Sequence, residues 1–499
     1  MICSYHQAYI PPEELEKSPV RTVTIKPLPK ARPFAPVDTY ETAEAEVFRL
    51  CTEYAVGDDT FDVGTSPPIA AATRTVDSAA WTALYMYALI AEARRPDHWI
   101  AVARVRLAAC ADFLLGLQAG GPSITVAASA AQYGGLSQTL TTATTGYFYT
   151  YQTAVAGLAF LRAYQALGDA SYLAAALRCG DFLRTQQASS SWATTSKNAT
   201  TDAAGTAPIY LGGFAETVFV DGSGAVSDRW YHMGRNFTAL EFLYLLRTIA
   251  GEVTLGSATT TADFAVSRAR TISTVILDAV TFWKVGAFDA ATGTTYTGMS
   301  TTTPRERFNA YPTDKTIDTG TGAWEYTTGT SVSGYTFART VRGLRAIGET
   351  TLAEALFDYL MTFTSASAYE LATGYTEADR YAGAKGEYDP KGMLATQLNI
   401  PTLANSTSFY DLRTLGLMAP LYAARQAGTF AAVKNELNRP RPRDVTRDAG
   451  RLHLGTLAAC GLAFQPFSAA ATRTASVTSA AMVGLAYREL PGTFMGASR

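Results

Sequence analysis

Histidine and cysteine are scarce in this 499-residue chain, with four of the first and five of the second. His6, His98, His232 and His453 never fall at H-x-x-x-H or H-E-x-x-H spacing, so no metal centre is expected. Cys3, Cys51, Cys110, Cys179 and Cys460 are odd in number, far apart and free of any C-x-x-C. Four of them lie in apolar helical contexts, where a thiol behaves as a small hydrophobe, and a reduced protein without disulfides follows. Charge is also sparse: 17% of residues against about 25% in an ordinary soluble chain. A net charge of −2 leaves no basic face to displace counterions from phosphate, so nucleic acid is excluded as a partner. Long apolar runs are missing too. The longest, Ala79 to Ala91, stops at Glu92, short of the roughly 18–20 residues that span a bilayer, so membrane insertion is not expected. The first thirty residues lack the apolar core of a secretion signal. Neither G-x-x-x-x-G-K-[ST] nor G-x-S-x-G occurs, and no cofactor is implied.

What the chain does contain is an arm and a long run of helical periodicity. Seven of its 21 prolines fall within the first 36 residues, around a short alternating stretch at Val20–Ile25. Such a segment is extended and builds no core of its own. Residues 1–38 therefore read as an arm that packs on its own domain or on a neighbouring subunit, and 39–499 as one domain. Apolar residues then recur with helical period over about 41–55, 79–95, 99–118, 151–167, 170–187, 235–251, 262–283, 334–347, 350–364, 409–427, 447–464 and 474–489. A short extra helix fits 429–437.

The links between these helices alternate in length. Those at 96–98, 168–169 and 348–349 hold two or three residues, whereas 56–78, 119–150, 188–234, 284–333 and 366–408 hold 23 to 50. Short links force neighbouring helices antiparallel, so the long ones gather at one end of the bundle. Loops beyond roughly 12–15 residues are uncommon unless they serve function. The working surface is therefore expected where helices 79–95, 151–167, 235–251, 334–347 and 409–427 begin.

A repeat supports the hairpin reading. Asp112-Phe-Leu-Leu-Gly-Leu-Gln118 and Asp181-Phe-Leu-Arg-Thr-Gln-Gln187 both read D-F-L-x-x-x-Q, and Asp358-Tyr-Leu360 is a weaker third copy. The preceding turns, Arg95-Pro-Asp97, Gly168-Asp169 and Gly348-Glu349, each supply a helix stop and then an acidic start. Stacked helical hairpins form an open solenoid or close into a ring. With long loops on one rim, the pattern over roughly 40–489 resembles the six-hairpin glycosidase superfamily. That resemblance implies an all-α (α/α)6 toroid of about twelve helices, with a substrate cleft on the loop-bearing rim. Its members include glycoside hydrolases, polysaccharide lyases and non-catalytic relatives.

Glycoside hydrolysis needs two carboxylates across the scissile bond. Inner-helix starts and rim loops offer Asp77, Asp228, Glu325 and Asp411. Asp77 and Asp411 are equally explained as first-turn or capping acids. Glu325 lies between Trp324 and Tyr326, an aromatic setting that raises a carboxyl pKa as a general acid requires and that stacks on a sugar ring. Asp228 opens Asp228-Arg-Trp-Tyr-His-Met-Gly-Arg-Asn236, the densest polar and aromatic cluster of the chain. Glu325 and Asp228 are thus the candidate acid/base pair, with Trp324, Tyr326, Trp230, Tyr231, His232, Arg235, Asn236 and Asp411 as substrate contacts. Tyr231, His232, Arg235 and Asn236 are also the residue types that toroidal lyases use to abstract a proton beside a carboxylate and stabilise the enolate.

Loop 119–150 carries no charged residue, so one wall of the cleft is neutral. The expectation is a protein that recognises or cleaves a polysaccharide or oligosaccharide. The arm and the missing secretion signal together fit a component of a phage tail or virion surface, and the missing signal alone fits a cytoplasmic glycosidase. A non-catalytic structural or adhesive virion subunit tethered by the arm, and a polysaccharide lyase, are the alternatives.

Overall fold

The computed structural model describes residues 40–62, 69–70, 74–92, 97–137, 144–187, 212–221, 224–228, 233–256, 269–284, 286–289, 294–297, 315–317, 324–326, 331–361, 397–399, 404–405, 417, 440–442, 451–453 and 474–489. In chain order these form α1 (Tyr40–Glu53), β1 (Thr60–Asp62), β2 (Ile69–Ala70), α2 (Val76–Ala91), α3 (Asp97–Leu117), β3 (Gly146–Tyr149), α4 (Thr150–Leu167), α5 (Ala170–Gln186), β4 (Thr217–Asp221), β5 (Gly224–Asp228), α6 (Met233–Ala250), β6 (Thr254–Leu255), β7 (Arg270–Thr271) and α7 (Ile272–Lys284). There follow β8 (Gly286–Asp289), β9 (Thr294–Thr297), β10 (Lys315–Ile317), β11 (Trp324–Tyr326), β12 (Ser331–Ser333), α8 (Gly334–Ala346), α9 (Thr350–Met361), β13 (Gln397–Asn399), β14 (Ala404–Asn405), β15 (Pro440–Pro442), β16 (Arg451–His453), β17 (Thr474–Ser476) and α10 (Val477–Glu489). The arm, the 20–25 stretch, the 429–437 helix and Asp411 lie outside the described residues. Of the helix expected at 409–427 only Leu417 is described, and it is helical and buried.

Local chemistry sets the hairpins. Gly168 ends α4 in the left-handed conformation (φ 75°), its N–H returning to the Tyr164 carbonyl at 2.8 Å. The next residue, Asp169, caps α5 by accepting from the Ser171 N–H at 2.8 Å. Thr75 caps α2 in the same way, accepting from Ser78 N–H at 3.2 Å. Helices α2 and α4 are Ala-rich and buried on nearly every side, the mark of inner rather than surface helices.

The helices close into a ring. Helix α2 packs on α3, α4 on α5 and α8 on α9 as hairpins, while α2–α4, α4–α6 and α6–α8 pack side by side as an inner layer. Helix α10, last in sequence, returns to pack against α2 and α1, so the two ends of the chain build a hairpin between them. Asp59 fastens this closure: its carbonyl accepts from Val477 N–H at 2.8 Å and its carboxylate from the Thr478 hydroxyl at 2.9 Å. Strand β1 adds a second seam, pairing antiparallel with β17 on one side and β2 on the other. An open solenoid would leave first and last helices apart. The fold is an (α/α) toroid, the double-layered ring that the resemblance implied.

Aromatic side chains key the inner helices together at glycines. Phe242 of α6 occupies the space a Cβ would need at Gly157 of α4, and Tyr85 of α2 approaches Gly484 of α10; at Gly343 of α8 it is the backbone carbonyl of Phe237 that comes close. Around the outside, the D-F-L-x-x-x-Q repeat proves to be a polar clamp. Gln118, after α3, donates to the Gly134 carbonyl at 3.2 Å and to Ala175 of α5 at 2.9 Å, and accepts from Arg178 at 2.9 Å. Gln187, after α5, donates to the Gly212 carbonyl at 3.0 Å and to Val275 of α7 at 2.8 Å, and accepts from Arg184 at 3.1 Å. Each clamp thus spans from one outer helix to the next. Gly134 and Gly212 both have positive φ, and a Cβ on either would strike a carbonyl of the following outer helix. The repeat's acid helps: Asp112 accepts from the Tyr172 hydroxyl at 2.8 Å, and Asp181 from Gly256 N–H at 2.8 Å. Burial raises the Asp181 carboxyl above its ordinary pKa.

Several sequence expectations are corrected. The outer helix expected from 262 begins at Ile272, because Arg270–Thr271 pair with β6. Within the helix expected at 447–464, Arg451–His453 instead form a strand against Pro440–Pro442, whose prolines hold φ near the extended range. Residues 474–476 belong to β17, one turn ahead of α10. Short antiparallel strands also decorate the loops, which the helical period could not reveal. Cys51, Cys110 and Cys179 are free and buried, and burial pushes the Cys51 and Cys110 thiols up to about 12. Among the described residues no helix is long and apolar enough to cross a membrane.

Candidate functional site

The rim where the inner helices begin is built from strands. Strand β3 runs directly into α4, β12 into α8 and β17 into α10, and each belongs to a three-stranded antiparallel sheet that ties in strands from other loops. Backbone pairing therefore fixes where these helices start.

Just below that rim a polar and aromatic cluster crosses the ring. The Trp81 indole N–H of α2 donates to the Tyr151 hydroxyl of α4 at 3.0 Å. The Arg339 guanidinium of α8 lies 3.6 Å from the Tyr151 ring centroid. Arg342, one turn on, sits 5.6 Å from the Trp81 ring centroid and donates through Nε to both carboxylate oxygens of Glu241 on α6, at 3.0 and 3.1 Å. Helix α2 is flanked by α4 and α10, and α8 by α6, so the Arg342–Trp81 contact bridges helices from different parts of the ring. All five residues fall within roughly the first two and a half turns of their helices, at 1.5 Å per residue. Trp81 is 1% exposed, Tyr151 3% and Arg339 7%. A buried guanidinium is costly unless partners surround it. Stacking on a desolvated ring returns about 2 kcal/mol, and apolar side chains would fill the same space without that cost.

The residues picked from sequence fall into three groups. Trp230, Tyr231, His232 and Asp411 lie outside the described residues. Asp228 and Glu325 are placed by their backbones only: Asp228 ends β5, opposite Thr217, and Glu325 is the middle residue of β11, opposite Thr316, between Trp324 and Tyr326. Both precede an inner helix on the rim side, α6 and α8 respectively. Arg235 and Asn236 are described in full. Arg235, in the first turn of α6, forms an ion pair with Glu216, a largely buried acid that sequence reading passed over. Asn236 is buried and bonds twice to the backbone of Phe214, accepting from its N–H at 2.7 Å and donating to its carbonyl at 2.9 Å. Thr153 does the equivalent one hairpin earlier, its hydroxyl accepting from the Leu136 N–H at 2.9 Å. Leu136 and Phe214 each follow a Gly-Gly pair, and Thr153 and Asn236 are each the fourth residue of their helix. Asp77, read as a capping or first-turn acid, is the first-turn acid of α2, and Thr75 is the cap.

Trp81, Tyr151, Glu241, Arg339 and Arg342 were missed because they sit inside helices rather than in loops. Their signal is nonetheless readable: Glu241 interrupts Ala239-Leu-Glu241-Phe-Leu243, and Arg339 and Arg342 are spaced three apart on an inner helix. Charges at such positions face a helix neighbour, not water. Among the described residues no group of three or more His, Cys, Asp or Glu side chains could hold a metal.

No family model matches the sequence, and no curated protein matches it. Solved structures similar to the chain include two carbohydrate-related enzymes. One is an unsaturated glucuronyl hydrolase specific for heparin, 11% identical, matched over 90% of this chain and 95% of that one with a TM-score of 0.45. The other is cellobiose 2-epimerase from Spirochaeta thermophila DSM 6192, also 11% identical, matched over 90% and 97% with a TM-score of 0.43.

Proposed function

We propose that the protein binds an oligosaccharide or polysaccharide on the loop-bearing rim and cleaves it by glycoside hydrolysis. The observation that carries this reading is the cluster of Trp81, Tyr151, Arg339, Arg342 and Glu241 beneath the rim. Buried themselves, these groups give the rim a rigid polar floor on which a polyhydroxylated ring can be held, and a ring centre needed for packing alone would be apolar. In this reading Glu325, the middle residue of β11, is the general acid that protonates the glycosidic oxygen. Asp228, at the mouth of α6, is its partner, acting on water or on the anomeric carbon according to the carboxylate separation. Hydrolysis is favoured over elimination because Arg235 is engaged by Glu216 and Asn236 by the Phe214 backbone. Neither is presented as the free enolate stabiliser a lyase needs. The proline-rich arm, 1–38, serves here as a tether to a neighbouring subunit of a particle such as a phage tail.

The test is a glycan array followed by product analysis on whatever binds. Wild-type protein is expected to release reducing sugar ends, and Glu325→Gln to bind the same glycan while releasing none. Retained cleavage in that variant would remove Glu325 from the mechanism, and products carrying a new double bond would establish elimination instead.

A further inference from the structure

Strand β3 presents aromatic residues at alternate positions, Tyr147 and Tyr149, and hands over to α4, whose second residue is Tyr151 of the floor cluster. Period two in a strand places Tyr147 and Tyr149 on one face. Phe219 of β4 lies directly opposite Tyr147 in the antiparallel ladder, with ring centroids 4.6 Å apart, and the Tyr149 ring is 6.3 Å from that of Tyr147. Tyr147 is 52% exposed, one of three large apolar side chains so exposed among the described residues; Val105 and Leu277, on α3 and α7, are single aliphatics. Its backbone is held firmly. Phe148 is buried, Tyr149 N–H donates to the Leu136 carbonyl at 3.0 Å, and Thr150 N–H to the Glu216 carbonyl at 2.8 Å. An exposed tyrosine on a rigid ladder keeps its surface available to a ligand at little entropic cost.

We propose that Tyr147 and Phe219 form a stacking subsite for a neutral pyranose ring of the bound glycan, separate from the central cluster and leading into it. This rests on the carbohydrate reading above and adds to it the sugar's charge class and a second point of attachment. Neutrality follows from the surroundings. The segment 119–150, which carries β3, has no charged side chain, and Arg235, in the first turn of α6, is paired with Glu216. Among the described residues of β3 and β4 a carboxylate-bearing ring would meet no cation, and the exposed charge on β4 is an acid, Asp221. The apolar face of a neutral ring covers Tyr147 and Phe219, leaving its hydroxyls in water.

The experiment is a titration of wild type, Tyr147→Ala, Tyr147→Phe and Arg339→Met with neutral and uronate-containing oligosaccharides in length series. A neutral oligosaccharide is expected to bind wild type, with Tyr147→Ala weakening the longer members about tenfold and leaving the shortest unchanged. Tyr147→Phe is expected to retain wild-type affinity, since the ring face remains. Equal affinity of Tyr147→Ala and wild type, with Arg339→Met impaired, would overturn the subsite and spare the central site. Stronger binding of uronate-containing chains that is lost in Tyr147→Ala would overturn neutrality. Failure of every saccharide to bind wild type would overturn the carbohydrate reading together with the subsite. A dimer that dissociates on Tyr147→Ala without change in glycan affinity would assign the patch to self-association and overturn it as well.

Discussion

Buried polar side chains are used in two different ways in this molecule. Between outer helices, Gln118 and Gln187 make the same three contacts: a loop glycine carbonyl, a carbonyl of the next outer helix, and an arginine. Beneath the rim, Trp81, Tyr151, Arg339, Arg342 and Glu241 form one assembly that has no counterpart in the clamp pattern. Repetition marks architecture, because every hairpin faces the same problem of registering on its neighbour. A buried guanidinium stacked across the ring solves no such problem. The contrast separates residues that hold the toroid from residues that give it something to do, and it reassigns Asn236, whose contact to Phe214 repeats that of Thr153 to Leu136.

The contrast makes its largest demand at the clamp. Gln187→Ala removes the side-chain donor from the buried Gly212 and Val275 carbonyls and one acceptor from Arg184, at a cost of about 3 kcal/mol. The urea midpoint is expected to fall accordingly while glycan affinity of the folded fraction stays unchanged. A fall in affinity at constant stability would erase the distinction between clamp and cluster.

The smallest demand concerns a cap. Hydrogen bonds from the Ser171 backbone N–H and hydroxyl hold the Asp169 carboxyl below its ordinary range. A carboxyl whose folded pKa is lowered stabilises the fold above its unfolded pKa, about 3.9, and loses that contribution as pH falls through the folded value. Asp169→Ala is expected to lose about 1 kcal/mol at neutral pH. Asp169→Asn should keep most of the cap and flatten the acid limb of the stability profile below pH 4 or so. An unchanged acid limb would show that other carboxylates govern it.

The fold was largely legible in the sequence because its signals are local. Gly168-Asp169 stops one helix and starts the next, and unequal link lengths orient the hairpins before any contact is known. The D-F-L-x-x-x-Q motif identified the repeat but not its purpose, since the partners of Gln118 lie 16 and 57 residues away. Ring closure through Asp59 and Thr478, 419 positions apart, has no local signature. The strands were hidden because two- to five-residue ladders are too short to show a period, and some, such as β3 with β4, pair one loop with another. Reading loops for polar clusters pointed to Asp228, Arg235 and Asn236 and passed over Arg339 and Glu241. Inside a helix a charge is ordinarily assigned to the solvent face; the packing of α8 against α6 shows Glu241 turned inward to Arg342, and the Tyr151 ring of α4 shows the same of Arg339.

Affinity of Arg339→Met for the best neutral oligosaccharide, measured by titration calorimetry beside wild type, addresses the assignment of the central cluster most directly. Methionine keeps the apolar stem and removes the cation over Tyr151. If the cluster serves saccharide binding, affinity falls at least about tenfold while the unfolding midpoint holds or rises, because a desolvated charge has been removed. Unchanged affinity with a lowered midpoint would show that Arg339 belongs with Gln118 and Gln187 among the residues that only hold the ring together.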